Sequence, residues 1–140
     1  VLVRVRTARR HGLRPLAGLL LLGLAGCQPP AGPTGTASDI SFHWSVSPSP
    51  PATGPARFSA ALAEPATGRP VRGAAIKLEG DMSHPGMQPV FGTAREVAPG
   101  VYEAAIDFTM AGDWVLLVDA TLRDGRTLQR QVLLPGVRAR

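Results

Sequence analysis

The sequence predicts an all-β fold, an immunoglobulin-like antiparallel β-sandwich of about seven strands preceded by a signal peptide and a flexible linker. Three observations predict it. Downstream of Asp39, apolar side chains recur with period two, the spacing that places alternate side chains on one face of a strand. Turn residues break that pattern at short intervals: the 140 residues include 16 Gly and 14 Pro, a density that favours turns over long helices. Residues 40–134 also come close to the roughly 100 residues of such a sandwich. Hydrophobic residues at 44% and charged residues at 18% suit a folded chain and exclude a disordered one.

Residues 1–26 read as a lipoprotein signal peptide. Arg4, Arg6, Arg9, Arg10 and Arg14 form a basic start without acids, and an apolar run from Leu16 to Leu24 follows. The run is too short to span a bilayer as a helix. It ends in Leu24-Ala25-Gly26-Cys27, which resembles the bacterial lipobox. That resemblance implies diacylglycerol on the Cys27 sulfur and cleavage before Cys27. An ordinary signal with a chance cysteine is the alternative. Arg9-Arg10 lacks the context of a twin-arginine signal. Gln28 follows the cysteine, so the Asp that marks inner-membrane retention in enteric bacteria is absent. Cys27 is the single cysteine, so the folded part is expected to have neither a disulfide nor a thiolate ligand. The expected location is the bacterial cell envelope. The membrane is held through the lipid anchor, and the domain lies on the periplasmic or extracellular side.

Residues 27–39 hold the lipidated cysteine and the linker. Gln28 to Asp39 reads QPPAGPTGTASD, without a large apolar side chain to offset the entropy of ordering, so a flexible tether is expected. Strands are then predicted at about 40–46, 57–63, 74–79, 89–97, 101–109, 113–122 and 126–134. Phe42, Trp44 and Val46 give the first its apolar face. Phe58, Ala60 and Leu62 do so for the second, and Ile76 and Leu78 for the third. Tyr102, Ala104, Ile106 and Phe108 alternate with polar or small residues in the fifth. Trp114, Leu116, Val118 and Ala120 line the sixth, whose first half is apolar on both faces, as in a central strand. Leu128, Val132 and Leu134 line the seventh, with Arg130 interrupting their face. Ala98-Pro99-Gly100 and Arg123-Asp124-Gly125 are tight-turn signals, and Ala111-Gly112 breaks the remaining pair. Trp44 and Trp114 are expected to anchor the core. Residues 135–140 are expected to form a C-terminal tail.

The net charge of +5 suggests a nucleic-acid partner only until the charges are placed. Five arginines lie in the signal, and from Cys27 onward acids and bases balance. No basic face remains for phosphate, so no nucleic acid is expected.

The candidate chemistry lies in Gly80-Asp81-Met82-Ser83-His84-Pro85-Gly86-Met87. The chain has three Met and three His, and this loop holds two of the Met and one His. Thioether sulfur selects Cu(I) over Zn, Mg or Ca, and imidazole also suits copper. Thioethers need no deprotonation to bind. In an antiparallel meander the third and fifth strands run the same way, so Met82 and Met110, each just past a strand end, share one end of the sandwich. Met82, His84, Met87 and Met110 are therefore the candidate metal ligands, with His43 an outlying one. The competing reading makes the methionines caps that fill the open end of the core.

The stretch Gly80-Asp-Met-Ser-His-Pro-Gly-Met87, then Pro99-Gly100-Val-Tyr102, then Phe108-Thr-Met-Ala-Gly112-Asp-Trp114 resembles the YtkA-like domain family, which is related to the FixH proteins. The resemblance covers roughly residues 56–134. It implies a small β-sandwich on the outer side of a bacterial membrane and copper handling through Met82, His84, Met87 and Met110. It also implies a copper-containing oxidase subunit or a copper chaperone as partner. This chain is sparser than richer members, with one His in the loop and three Met in all.

Two functions follow: a membrane-tethered Cu(I)-binding domain, or a non-metal scaffold or interaction module of the envelope. An enzyme is not expected. The single cysteine is assigned to lipid, two mature histidines without a fixed carboxylate do not make a triad, and the usual three-ligand zinc set is missing.

Overall fold

A computed structural model of the chain describes residues 36–82, 84 and 86–140. The expected signal peptide, Cys27 and most of the expected linker lie outside the described residues. The elements are β1 (Ser41–Ser47), β2 (Gly54–Ala63), β3 (Ala75–Met82), β4 (Val90–Ala98), β5 (Val101–Phe108), β6 (Gly112–Thr121) and β7 (Thr127–Val137). All seven lie where the sequence predicts strands, and every pairing among them is antiparallel.

The hydrogen-bonded order is β1-β2-β5-β4-β3-β6-β7. One strand joins two sheets. The first half of β4 pairs with β3, from Gly80↔Val90 to Ile76↔Ala94. Its second half pairs with β5 through Arg95↔Glu103 and Glu96↔Tyr102, with a register shift between Glu96 and Ala98. β4 thus forms the corner, and the inner faces of β1-β2-β5 and β3-β6-β7 close on each other as an immunoglobulin-like sandwich. Gly92 stands at the crossing. A Cβ there would lie 2.8 Å from the Ala105 carbonyl oxygen, so a side chain would force β4 off β5.

The core is the inward half of each alternating strand. Phe58, Ala60 and Leu62 of β2 meet Tyr102, Ala104, Ile106 and Phe108 of β5. Ile76, Leu78, Leu116, Val118, Leu128 and Val132 come from the facing sheet. Among the described residues no polar or charged side chain is buried in it. Arg130 interrupts the β7 face as the sequence predicts, and its position explains how it is tolerated. β7 is an outermost strand, so the guanidinium reaches the rim and donates to the carbonyls of Gln129 (3.0 Å), Ile40 (3.4 Å) and Ser38 (3.5 Å). Trp44 corrects the expectation of a second tryptophan anchor: it is 42% exposed. It sits mid-way along β1, the other outermost strand, where an indole has one neighbouring strand to cover it.

The ordered unit is wider at both ends than residues 40–134. Ala37 is fully buried, and its N–H donates to the Thr127 carbonyl at 2.7 Å. At the other terminus β7 runs on to Val137, and Arg138 exchanges hydrogen bonds with the β1–β2 connection, donating to Pro51 and accepting from Thr53. Residues 135–137 therefore extend the sheet, and Arg138 bridges to Ala52.

The sandwich has two poles. The incoming chain at Thr36, the β2–β3 connection and the β4–β5 and β6–β7 turns lie at one. The β1–β2, β3–β4 and β5–β6 connections lie at the other. At the first pole a carboxylate clasp holds the long β2–β3 connection. Glu96 accepts from the N–H groups of Gly100 and Gly73, both at 2.9 Å, and Arg72 lies 3.6 Å away. Tyr102 Oη donates to the Val71 carbonyl at 2.8 Å and accepts from the Ala74 N–H at 3.0 Å. The Gly100 and Gly73 N–H groups, with Arg72 after them, hold the Glu96 carboxyl below its ordinary pKa. The unfolded chain therefore binds this proton more tightly. The clasp's contribution is complete above the ordinary carboxylate range and is lost as pH falls through the lower folded value. Urea unfolding at neutral and acid pH should show that Glu96→Gln weakens the domain at neutral pH and flattens its acid sensitivity. An unchanged pH profile in the variant would assign the acid sensitivity to other carboxylates.

Candidate functional site

β3 ends in Met82, and its connection to β4 carries His84 and Met87. The turn from β5 to β6 carries Met110. Both β3 and β5 run antiparallel to β4, so they point the same way and their ends share the pole opposite Thr36.

The sequence shapes this pole residue by residue. Gly80 admits β3 close to its neighbours. A Cβ there would stand 2.8 Å from Val90 Cγ2, 3.1 Å from Leu116 Cδ2 and 3.2 Å from Ile106 Cδ1. Met82, two residues on, pairs with Trp114 across the β3–β6 ladder and packs partly buried against the core. Its methyl group lies 2.9 Å from where a Cβ on Gly112 would sit. Gly112 has φ +131°, a conformation that L side chains rarely adopt, so the backbone requires glycine there. The Met82 side chain therefore reaches the turn that carries Met110. That turn is fixed by Trp114, whose Nε1–H donates to the Met110 carbonyl at 3.0 Å. The Met110 side chain is 48% exposed.

In the β3–β4 connection His84 is exposed and Met87 is partly buried. Gly86 adopts φ +85° in the turn between them. Ser83 and Pro85 lie outside the described residues. The structure thus brings Met82 against the Met110 turn and keeps His84 and Met87 in the adjoining loop. His43 does not join them: it is exposed on β1 opposite Ala61, toward the other pole.

Among the described residues no three His, Cys, Asp or Glu side chains group as a metal-binding set. The oxygen-rich cage that Ca²⁺ or Mg²⁺ prefers is not supplied there, and an ion at this pole would depend on thioether sulfur with one imidazole. A groove of about 780 Å³ lies elsewhere, on the outer face of β2 and β5, with Arg57, Arg95, Glu103 and Arg140 among its lining. It contains none of the soft donors, so donor chemistry rather than cavity size places the candidate site.

Two contributors escaped the sequence reading. Trp114 is the expected core anchor, 1% exposed, but its hydrogen bond to Met110 was not foreseen. The signal was the four-residue spacing of Met110 and Trp114 around a turn glycine. Gly112 as the seat of the Met82 methyl had no local signal, because the contact joins residues thirty positions apart.

A family model described as YtkA-like matches residues 35–119. No curated protein matches the chain significantly. Among solved structures, the chain is similar to the soluble domain of PmoD from Methylocystis sp. ATCC 49242 (Rockwell). The identity is 19% and the TM-score 0.46, over 69% of this chain and 90% of that one. It is also similar to murine CRIg, at 12% identity and a TM-score of 0.39, over 71% of this chain and 98% of that one. Both are distant likenesses.

Proposed function

The chain belongs to the YtkA-like family, and from that premise we propose that it is a lipid-anchored envelope domain that holds Cu(I) at its methionine pole. In this reading it serves copper handling or the assembly of a copper-containing respiratory oxidase. The observation that carries the reading is the approach of the Met82 methyl to Gly112, which joins the β3–β4 loop to the turn bearing Met110. Three thioethers and an imidazole fit Cu(I) in kind. The domain binds and passes the ion, with a copper chaperone or an oxidase subunit as its partner, and performs no catalysis.

The partial burial of Met82 against the core favours a second reading, in which the methionines are packing and the sandwich is an interaction module. Titration with Cu(I) or Ag(I) separates the two. Met87→Leu and Met110→Leu nearly conserve volume, and each should cost less than about 1.5 kcal/mol of stability. In the copper reading each lowers Cu(I) affinity while the urea midpoint barely moves, and Zn(II) competes poorly throughout. Unchanged Cu(I) binding in both variants, or none in the parent, leaves the interaction module as the function.

A further inference from the structure

We propose that the groove on the outer face of β2, β5 and β4 is a binding site for a small, multiply charged oxyanion, a carboxylate or phosphate compound, held between Arg57, Arg95 and Arg140. The inference goes beyond the copper reading and does not depend on it.

Its basis is how the fold distributes charges that balance along the sequence from Cys27 onward. The strand order β2-β5-β4 sets Arg57 and Arg95 on the two strands that flank β5. Arg57 stands opposite Ala105, and Arg95 opposite Glu103. Residues that face each other in a ladder point to the same side, as do residues two apart on one strand, so all four project from the outer face. The backbones of β2 and β4 lie two strand spacings apart, about 10 Å. The short Ala105 methyl leaves the space between the two arginines open. Arg140 closes one end. Its N–H donates to Thr53 Oγ1 at 3.1 Å, and its Nη1 lies 3.3 Å from where a Cβ on Gly54 would sit. The groove encloses about 780 Å³, within the roughly 300–1,000 Å³ of small-molecule sites.

The guanidiniums here differ from others in the domain. Arg69 pairs with Glu64 at 2.7 Å, Arg126 pairs with Asp124 at 2.8 Å, and Arg130 donates to backbone carbonyls. Among the described residues Arg95 and Arg140 have no carboxylate partner. The Arg57 partner is distant: Nε lies 3.7 Å from Glu103 Oε2 with the arginine side chain 67% exposed, a pair that contributes little in water. Three cations against one carboxylate leave positive charge unmatched in the groove. The planar fork of a guanidinium bonds carboxylate and phosphate oxygens two at a time. Ser47 and Thr93 add hydroxyl groups, and the half-exposed Val97 forms an apolar lip with Pro48 and Pro55. Glu103 and Asp107 flank Ala105 along β5, so the positive charge does not continue along the strand. That pattern suits a compact anion with a short apolar frame and not a long polyanion.

The test is calorimetric titration of the full chain in a non-ionic detergent, at constant ionic strength set by chloride. Citrate, pyrophosphate and short-chain phosphatidic acid are the probes, and they distinguish a free carboxylate, a free phosphate and a lipid headgroup as the source of the oxyanion. The expected result is saturable one-to-one binding of at least one of them. Arg57→Gln and Arg95→Gln should each weaken it about tenfold or more, as expected for losing one charged hydrogen-bonding partner. Glu103→Gln removes the groove's carboxylate and should tighten it. Arg69→Gln makes the same change in net charge at the other pole, on an arginine already paired with Glu64, and should leave the affinity as it is. All four side chains are at least partly exposed, and urea unfolding checks that each variant folds. The site is overturned if no probe binds, if binding survives both Arg57→Gln and Arg95→Gln, or if Arg69→Gln weakens binding as much as Arg95→Gln does. A chain that migrates as an oligomer and is dissociated by Arg95→Gln would give the groove to acidic residues of a second copy, and would also overturn it. Copper enters none of these measurements, so a methionine pole that binds no Cu(I) leaves their outcome unchanged.

Discussion

Trp114→Ala should remove about 3–5 kcal/mol of stability, as expected for truncating a large buried aromatic. Against the ~5–15 kcal/mol typical of a domain, that is enough to leave a large unfolded population in mild urea. Three contacts are lost together. The ring is 1% exposed and meets Phe108 edge-on, with ring centroids 5.3 Å apart. Its strand neighbours Met82 and Leu134 lose the surface between them. The Met110 carbonyl loses its donor. Trp114→Phe divides packing from positioning. It keeps most of the ring volume but removes the N–H, so the fold persists with a smaller loss while the Met110 turn is released. If the methionine pole binds Cu(I), that variant should bind it more weakly than its stability alone would require. A Trp114→Ala domain as resistant to urea as the parent would contradict the burial of the indole between the sheets.

Cys27→Ser should change where the protein resides. Each buried methylene of an acyl chain is worth about 0.8 kcal/mol, so two chains hold a small domain to a bilayer with little dissociation and their removal leaves none of that attachment. Fractionation and intact-mass measurement should find the variant either as a longer uncleaved precursor or as a domain shifted to the soluble fraction. A variant with both normal processing and normal membrane retention would remove the lipid anchor from the account.

Most of the framework was legible because strand burial has a local cause. The alternation of Tyr102, Ala104, Ile106 and Phe108, and of Trp114, Leu116, Val118 and Ala120, assigns each side chain a face without knowledge of the neighbouring strand, and all eight are buried. Turn positions were equally readable: Gly100 and Gly125 adopt φ +71° and +84° at two predicted turns. Failures came where burial depends on what lies opposite. Trp44 alternates correctly with Phe42 and Val46, yet stays exposed because β1 is outermost. The Glu96 clasp was likewise invisible, since it joins the β2–β3 connection to the β4–β5 turn across 23 positions of sequence.

For the candidate site, the sequence alone supplied the donor types and the common pole. Thioether and imidazole chemistry is intrinsic to Met82, His84, Met87 and Met110, and antiparallel strands of similar length bring alternate connections to the same end. Only the tertiary structure decided that the Met82 methyl reaches Gly112, that Trp114 holds the Met110 turn, that β4 binds the two sheets into one ladder, and that the tether is pinned opposite the methionines. Each of these is a contact between residues whose separation in space is set by strand pairing and sheet closure, and a one-dimensional pattern of faces does not specify which strand lies beside which.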